Sequence, residues 1–349
     1  MEPPQPEDSI YAKSTILVTG GTGSVGMELI RALLEHGAKQ IRLLSNDENG
    51  LFEAMNSFAK HHEVVYRLGD IRDSRGVEQV IRDCDFVFHA AALKHVDFCE
   101  GNPYEAIYTN ILGTQNVIDL ATRHSVRRFV FISSDKSVNP VSTMGATKLL
   151  GEKLTVGART STDRPVFSVV RFGNVLGSRG SVVLIFEQQV KEGIPITVTD
   201  PEMTRFIMLP ADSARLVLRA GELSRGGTIL VLKMPAAKIR DLAEACREFF
   251  ARIYGRDAGR IPITTIGAGP GEKIHEQLMT DSEALTATET DEFYVIKPGS
   301  ERAPRTQQQT SELSLRKYTS DSVPLVSRDE IACLLSQLYA RRQSGRPRK

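Results

Sequence analysis

The sequence of 349 residues contains no tryptophan, and aromatic residues make up only 6% of it. It has four cysteines, none in a CxxC pair, so we expect reduced, mostly buried thiols rather than a disulfide framework or a metal centre. These are Cys84, Cys99, Cys246 and Cys333. The formal net charge of +1 gives no excess of positive charge, which argues against nucleic acid as a partner.

Long hydrophobic runs are also missing. No segment approaches the roughly 18 apolar residues that cross a bilayer. The first eight residues are rich in proline and acidic residues and do not have the pattern of a signal peptide. We therefore expect a soluble, cytoplasmic protein. The basic end, residues 341–349, predicts a disordered tail, with a specific binding element as the alternative.

The 41% of hydrophobic residues suffices for a large core, and they occur in short runs that alternate with helical patterns. Parallel strands need such crossovers, so the alternation predicts an α/β fold, a doubly wound parallel (Rossmann) sheet. The strands are predicted at Ser14–Thr19, Gln40–Leu44, Val64–Leu68, Phe86–His89, Arg128–Ile132 and Val166–Phe172.

A glycine-rich turn follows the first strand and leads into a helix predicted at Met27–His36. Gly20 permits the tight turn, Gly23 allows the backbone to approach a pyrophosphate, and Gly26 allows close packing of helix on strand. This pattern predicts a dinucleotide site. Its contacts are expected from Gly20, Thr22, Gly23, Ser24, Val25 and Gly26.

The next strand ends supply the rest of the expected nucleotide pocket. Ser45 and Asn46 lie where the adenosine ribose is expected, and since neither a carboxylate nor an arginine stands there, these residues leave NAD and NADP both open. Asp70 and Ile71 are candidates for the adenine edge, with a helix N-cap as the alternative for Asp70. Small residues that let a flat cofactor lie against backbone are Ala90, Ala91 and Ala92.

Chemistry is expected at the end of strand Arg128–Ile132, where Ser134, Asp135 and Lys136 follow. Asp135 and Lys136 offer an acid and a base at one turn, which is more than plain hydride transfer requires and indicates elimination. Lys148 is expected to hold the nicotinamide ribose. Met144 shares its helix face, although a thioether is neither acid nor base.

A second, smaller lobe is predicted after residue 172. Glycines and small hydroxyls in residues 173–182 allow backbone amides to surround a second anion. Arg205 is a candidate for a diphosphate, with an ordinary surface arginine as the alternative. The segment 271–276 either closes over a ligand or opens a helix. Lys94 and His95 could face a substrate, although a structural role for His95 is favoured.

We predict four parts of the chain: an N-terminal tail at 1–12, the NAD(P)-binding Rossmann domain at 13–172, a substrate-binding lobe with interleaved returns to the sheet at 173–299, and a C-terminal extension at 300–349. The last part contains one predicted amphipathic helix at Arg328–Leu338 and the basic tail.

Several motifs in this order resemble those of the extended short-chain dehydrogenase/reductases, and more narrowly of the UDP-N-acetylglucosamine 4,6-dehydratases that invert C5. The resemblance runs from about Thr15 to about Ile296. It is carried by residues 19–26, Ser134-Asp135-Lys136, Asn139-Pro140, Met144 to Lys148, 171–182 and 200–206.

The resemblance implies oxidation at sugar C4, removal of the C5 proton by Lys136, loss of the C6 hydroxyl as water with help from Asp135, and hydride return to C6. The cofactor is then tightly bound and recycled, with NADP slightly favoured over NAD. A UDP-sugar substrate and a homo-oligomer are also implied. The residues expected to bind the substrate are Lys94, Asn174, Ser181, Val182, Arg205 and Glu272.

Met144 stands where many short-chain dehydrogenases carry tyrosine, although one branch of the dehydratases resembles this chain in having methionine there. The group that takes the C4 hydroxyl proton is therefore open. Two alternatives remain: a UDP-sugar 4-epimerase, which has no use for the Asp135–Lys136 pair, and a non-catalytic cofactor-binding scaffold. Membrane-bound relatives have an amino-terminal spanning region, which we do not expect here.

Overall fold

The computed structural model of the protein describes residues 9–158, 164–269, 271–297 and 318–344. The predicted tail at 1–12 lies partly outside these residues. The disordered tail predicted at 341–349 is wrong for residues 341–344, which belong to the terminal helix, and residues 345–349 lie outside the described part of the chain.

The first half alternates strands and helices as its hydrophobic pattern predicts. The six predicted strands are present, and each of their bounds agrees with the prediction to within one residue. The strands are β1 (Thr15–Thr19), β2 (Gln40–Ser45), β3 (Val64–Leu68), β4 (Phe86–His89), β5 (Arg128–Ile132) and β6 (Val166–Arg171). The intervening helices are α1 (Ser24–Glu35), α2 (Glu48–Ser57), α3 (Ser74–Ile81), α4 (Val96–Gly101), α5 (Pro103–Ile107), α6 (Thr114–Arg123) and α7 (Thr143–Gly157).

These strands form one parallel sheet in the order β3-β2-β1-β4-β5-β6. Two later strands extend it beyond β6: β10 (Thr228–Leu232) pairs parallel to β6, and β14 (Phe293–Ile296) pairs antiparallel to β10. The short β13 (Thr288–Glu289) closes that side. The predicted doubly wound sheet is therefore confirmed, and it brings the ends of β1, β4 and β5 together.

The helical pattern at residues 104–124 suggests one regular helix, but the backbone there widens into a π-helical turn at Tyr108–Gly113 between α5 and α6. Asn110 explains the departure: its side-chain amide exchanges hydrogen bonds of 2.8 and 2.9 Å with the backbone of Leu93, and it donates to Thr147 at 2.9 Å. π turns of this kind re-aim a side chain within a helix. Here Asn110 braces the turn that follows β4.

The second half adds a smaller layer with its own hydrophobic core. Its strands are β7 (Asn174–Val175), β8 (Ile196–Val198), β9 (Thr204–Met208), β11 (Ala236–Lys238) and β12 (Ile263–Thr265). Its helices are α8 (Val182–Glu192), α10 (Ile239–Tyr254) and α12 (Arg328–Ser344). Two further helices of this half, α9 (Pro210–Leu223) and α11 (Asp281–Thr286), lie against elements of the main sheet layer instead. Small sheets form in the orders β11-β9-β7 and β12-β8.

The terminal helix begins at Arg328 as predicted but runs six residues farther than expected, to Ser344. Its residues Ile331 and Leu335 are buried against α8 and α10, whose side chains Phe186 and Phe250 belong to the same core. The helix thus completes the second layer. Within the described part of the chain, no helix is both long and apolar enough to cross a membrane.

Candidate active site

An open cavity of about 640 Å³ lies at the carboxyl ends of β1, β4 and β5, between the sheet and the second layer. Most residues proposed from the sequence line it. They are Gly20, Thr22, Gly23, Ser24, Val25, Gly26, Ser45, Asn46, Asp70, Ile71, Ala90, Ala91, Ala92, Lys94, Ser134, Asp135, Lys136, Met144, Lys148, Asn174 and Ser181. Val182, Arg205 and Glu272 do not line it.

The glycine turn has the geometry that a dinucleotide pyrophosphate requires. Gly20 has φ +64°, and a Cβ on it would lie 2.6 Å from the backbone nitrogen of Ala91. A Cβ on Gly26 would lie 2.6 Å from the carbonyl oxygen of Gly20. No side chain caps the start of α1 at Gly23, so the helix end faces the cavity with its amide groups available to an anion. The residues present therefore fit a dinucleotide.

At the other end of the expected nucleotide site, Ser45 accepts or donates a 2.8 Å hydrogen bond with Thr22. Asp70 does not cap a helix, because Asp73 is the N-cap of α3, so the capping alternative for Asp70 is wrong. Its carboxylate instead binds Arg72 at 2.6 Å and accepts from Asn46 at 3.3 Å.

Arg179 lines the cavity, although no local pattern distinguished it from the rest of the glycine-rich segment 173–182. Its backbone nitrogen donates to Ser24 at 3.0 Å, and its guanidinium pairs with Asp47 at 2.9 Å and Glu53 at 2.8 Å. Its carbonyl oxygen accepts from Lys94. Burial lowers the pKa of the Lys94 amine, and the positive charge of Arg179 lowers it further.

A 3₁₀ turn at Asp135–Ser137 follows β5, with Ser134 as its N-cap. One carboxylate oxygen of Asp135, Oδ1, accepts from Ser134 at 2.7 Å and from the Lys136 amine at 3.1 Å. The other, Oδ2, has no hydrogen-bond partner among the described residues, although the side chain is only 1% exposed. An unsatisfied buried carboxylate oxygen is costly, so its place on the cavity wall indicates a functional role.

Glu276 joins this turn from the second layer. Its Oε1 atom lies 3.3 Å from Nζ of Lys136 and 3.8 Å from Nε of Arg205. Burial lowers the pKa of Lys136, but the carboxylates of Asp135 and Glu276 outweigh that effect, and the net pKa lies above the usual value for lysine. Lys136 therefore stands as an ammonium in this arrangement. Glu276 was not among the predicted site residues, although the segment 271–276 was expected to close over a ligand or to open a helix.

Lys148 extends from α7 under the same turn. Its amine donates to the carbonyl oxygen of Ile132 at 2.9 Å and lies 4.9 Å from the ring centre of Phe131. Burial lowers its pKa to about 8, an effect that Glu152 partly opposes. Burial also lowers the pKa of nearby His89 to about 3, so this histidine is neutral.

Met144 lies one turn before Lys148 and is buried against Cys99 and Ala106. Gly145 beside it allows α7 to approach the turn, since a Cβ there would overlap the carbonyl oxygen of Lys136. The structure thus brings Met144 to the cavity wall as an apolar surface.

The remaining predicted substrate residues divide into two groups. Asn174 and Ser181 reach the cavity, and the hydroxyl of Ser181 is buried without a partner among the described residues. Glu272 is exposed and accepts a hydrogen bond from Gly269. The segment 271–276 opens no helix, so that alternative is wrong. Arg205 is not an ordinary surface arginine, because its side chain is only 11% exposed and binds the carbonyl oxygens of Thr204 and Ile274.

The sequence matches the family described as polysaccharide biosynthesis protein over residues 16–298. The chain belongs to this family. The family is part of the extended short-chain dehydrogenase/reductases, and the observed Rossmann sheet and glycine turn agree with that membership.

Relatives of the chain carry different names. It is 46% identical to the uncharacterized membrane protein MJ1061 of Methanocaldococcus jannaschii, over 83% of this chain and 87% of that one. It is 40% identical to UDP-glucose 4-epimerase of Rickettsia bellii, over 82% and 84%. Among solved structures, Pen from Bacillus thuringiensis has a TM-score of 0.85 and 39% identity, over 94% of this chain and 98% of that one.

Proposed function

We propose that the protein is an NAD(P)-dependent nucleotide-sugar 4,6-dehydratase that acts on UDP-N-acetylglucosamine or a close UDP-hexosamine. The observation that carries the proposal is the pairing of Asp135 with Lys136 at 3.1 Å on the cavity wall, with a carboxylate oxygen of Asp135 left unpartnered among the described residues. Elimination of water from a sugar needs a base for one carbon and a proton donor for the leaving hydroxyl.

The side chains present can divide this work. A bound nicotinamide would accept the hydride from C4 and return it to C6. Lys136, once neutral, removes the C5 proton that the 4-keto group has made acidic. Asp135, when it carries a proton on its free oxygen, gives that proton to the C6 hydroxyl, which leaves as water, and Ser134 orients the sugar. Proton return to C5 from the opposite face gives the inverted product.

The cofactor would lie along the wall formed by the glycine turn, Ser45, Asp70 and the alanines after β4. Lys148, whose pKa is lowered to about 8 by burial, would hold the nicotinamide ribose and favour loss of a hydroxyl proton nearby. We propose NADP rather than NAD as the cofactor. Arg72 pairs with Asp70 and Arg179 pairs with Asp47, so two cationic side chains flank the segment that begins at Ser45, where a 2′-phosphate would lie.

A 4-epimerase is the second candidate, and the 40% identical Rickettsia relative of that name supports it. An epimerase performs the first oxidation and returns the hydride to C4, so no water is lost. It needs neither a base for the C5 proton nor an acid for the C6 hydroxyl. The Asp135–Lys136 pair, which an epimerase does not need, favours the dehydratase.

Incubation of the purified protein with UDP-N-acetylglucosamine, followed by mass spectrometry and proton NMR, tests the proposal. We expect a 4-keto-6-deoxy product that has lost one water, and loss of this product in Asp135→Asn and Lys136→Met. A product of unchanged mass with altered C4 stereochemistry, formed equally well by both variants and lost in Lys148→Ala, would establish the epimerase instead.

A further inference from the structure

Glu276 is a buried carboxylate. It is not among the residues that the family resemblance implies, and it does not line the cavity. Its side chain is about 3% exposed, and its Oε2 atom has no hydrogen-bond partner among the described residues. Its backbone is held firmly, since the amide donates to the Ser320 hydroxyl oxygen at 2.9 Å and the carbonyl oxygen accepts from the Ser320 amide at 2.8 Å. A carboxylate so placed is expensive to bury, and such cases commonly mark functional sites.

The groups facing the amine of Lys136 come from three parts of the chain. Asp135 lies 3.1 Å away on the same turn, and Glu276 lies 3.3 Å away on the segment opposite. Arg205 on β9 lies 3.8 Å from the same Oε1 atom of Glu276, and Lys273 donates to the carbonyl oxygen of Val138 nearby. Two negative and two positive side chains therefore surround this amine in a small volume.

An ammonium cannot take a proton from carbon, so the Lys136 amine must first lose one. Asp135 lines the cavity and is available to the substrate, whereas Glu276 lies behind Lys136 and does not line the cavity. The nearest acceptor that leaves Asp135 free is thus Glu276.

We propose that Glu276 is a positioning residue that holds the Lys136 amine at the cavity and accepts its proton. In this step an N–H bond of Lys136 breaks and an O–H bond forms on Glu276, so that two charges are neutralised and no further reactant is needed. The lone pair of the amine is then free for the substrate C5 proton. The proposal rests on the dehydratase function, and its test separates the two.

The first measurement needs no substrate. Lys136 has 28% of its side chain exposed, so competitive acetylation of the whole protein across pH, read by mass spectrometry, reports the pKa of this one amine. We expect Glu276→Gln to lower that pKa, because one of the two carboxylates that raise it is gone. Glu276→Asp retains a carboxylate and should preserve most of the effect. Glu289→Gln, at a surface pair with Lys233, should leave it unchanged.

The second measurement uses turnover of UDP-N-acetylglucosamine. We expect Glu276→Gln to lower kcat by about 100-fold or more at every pH, the usual scale of a lost proton-transfer partner, with KM nearly unchanged. Glu276→Asp should recover part of the rate. Circular dichroism and thermal unfolding establish whether each variant is folded. If Glu276→Gln does not fold, the kcat and labelling curve of Glu276→Asp decide whether Glu276 acts on Lys136.

Two results would overturn the inference. Overlapping labelling curves for wild type and Glu276→Gln would mean that Glu276 does not influence Lys136. A lowered pKa of Lys136 with wild-type or faster kcat would mean that Glu276 only adjusts charge and accepts no proton. If the wild-type protein releases no water from any UDP-hexosamine, the dehydratase proposal fails, while the labelling result still reports on Glu276.

Discussion

Arg171 and Glu152 form a buried two-point ion pair beneath the candidate site, with Nε–Oε1 at 3.0 Å and Nη2–Oε2 at 2.6 Å. Both side chains are 1% exposed. The same Oε1 atom of Glu152 accepts the hydroxyls of Ser133 and Ser137, which flank the turn that carries Asp135 and Lys136. The pair therefore supports the reactive turn from inside the protein.

Removal of one partner from such a pair leaves an uncompensated buried charge, which costs about 3 to 5 kcal/mol. We expect Glu152→Gln to lie at the lower end of that range, because Arg171 keeps a second partner in Glu283. Urea unfolding of the variant measures the loss. Glu289→Gln, which breaks an exposed pair, should change the free energy of unfolding by less than about 1 kcal/mol. Equal effects in the two variants would contradict the supporting role of Glu152.

Arg179 is expected to influence the choice of nucleotide. Since a hydrogen bond to a charged group contributes about 1.5 to 3 kcal/mol, Arg179→Ala should weaken NADP binding by at least about tenfold. Its effect on NAD, which lacks the 2′-phosphate, should be much smaller. Calorimetric titration with each nucleotide measures the ratio, and Arg75→Ala on α3 serves as a control. Equal weakening of both nucleotides would argue that Arg179 only closes the site.

Mass spectrometry of the co-purifying cofactor is expected to find NADP.

Met144 is expected to be dispensable for proton transfer. Replacement by tyrosine should reduce the rate of water loss by less than about tenfold, whereas Lys136→Met should reduce it by about 100-fold or more. Because Met144 is buried, the larger ring is expected to cost about 1 to 3 kcal/mol of stability. Steady-state kinetics and thermal unfolding of the same preparations separate the two effects. A tyrosine variant much faster than wild type would show that the thioether site had lacked a needed acid–base group.

The lowered pKa of Lys148 predicts how stability depends on pH. The unfolded lysine keeps its proton up to about pH 10.5, while the folded amine loses it near pH 8. Between these values the unfolded state binds more protons, so the free energy of unfolding rises with pH by up to about 1.4 kcal/mol per unit. The free energy of unfolding of wild type minus that of Lys148→Met should therefore be constant below about pH 8 and become more positive above it.

Denaturant unfolding of nucleotide-free protein from pH 7 to pH 10 measures this difference. Lys39→Met, at an exposed lysine, should show no such slope relative to wild type. A difference for Lys148→Met that stays constant over the whole range would mean that the folded and unfolded amines titrate alike.

Local patterns were enough to predict the strands of the first half. Phe86–His89 and Arg128–Ile132 agree residue for residue with the structure, because buried parallel strands read as short apolar runs with sharp polar ends. The π turn at Tyr108–Gly113 was not predictable in this way. It depends on the contact of Asn110 with Leu93 and Thr147, which lie 17 and 37 residues away along the chain.

By itself, the sequence determined the Rossmann sheet, the glycine turn and the placing of Ser134, Asp135 and Lys136 at a strand end, since each depends on residues that are neighbours in the chain. Only the tertiary structure decided that Glu276 lies against Lys136 and that Arg179 reaches Asp47, contacts that join residues 140 and 132 positions apart. Such contacts arise when the second layer folds over the sheet, and no local periodicity encodes them. The carboxylate of Glu276, together with that of Asp135, also keeps the pKa of Lys136 above its usual value, and the part of Glu276 could not be predicted from the sequence.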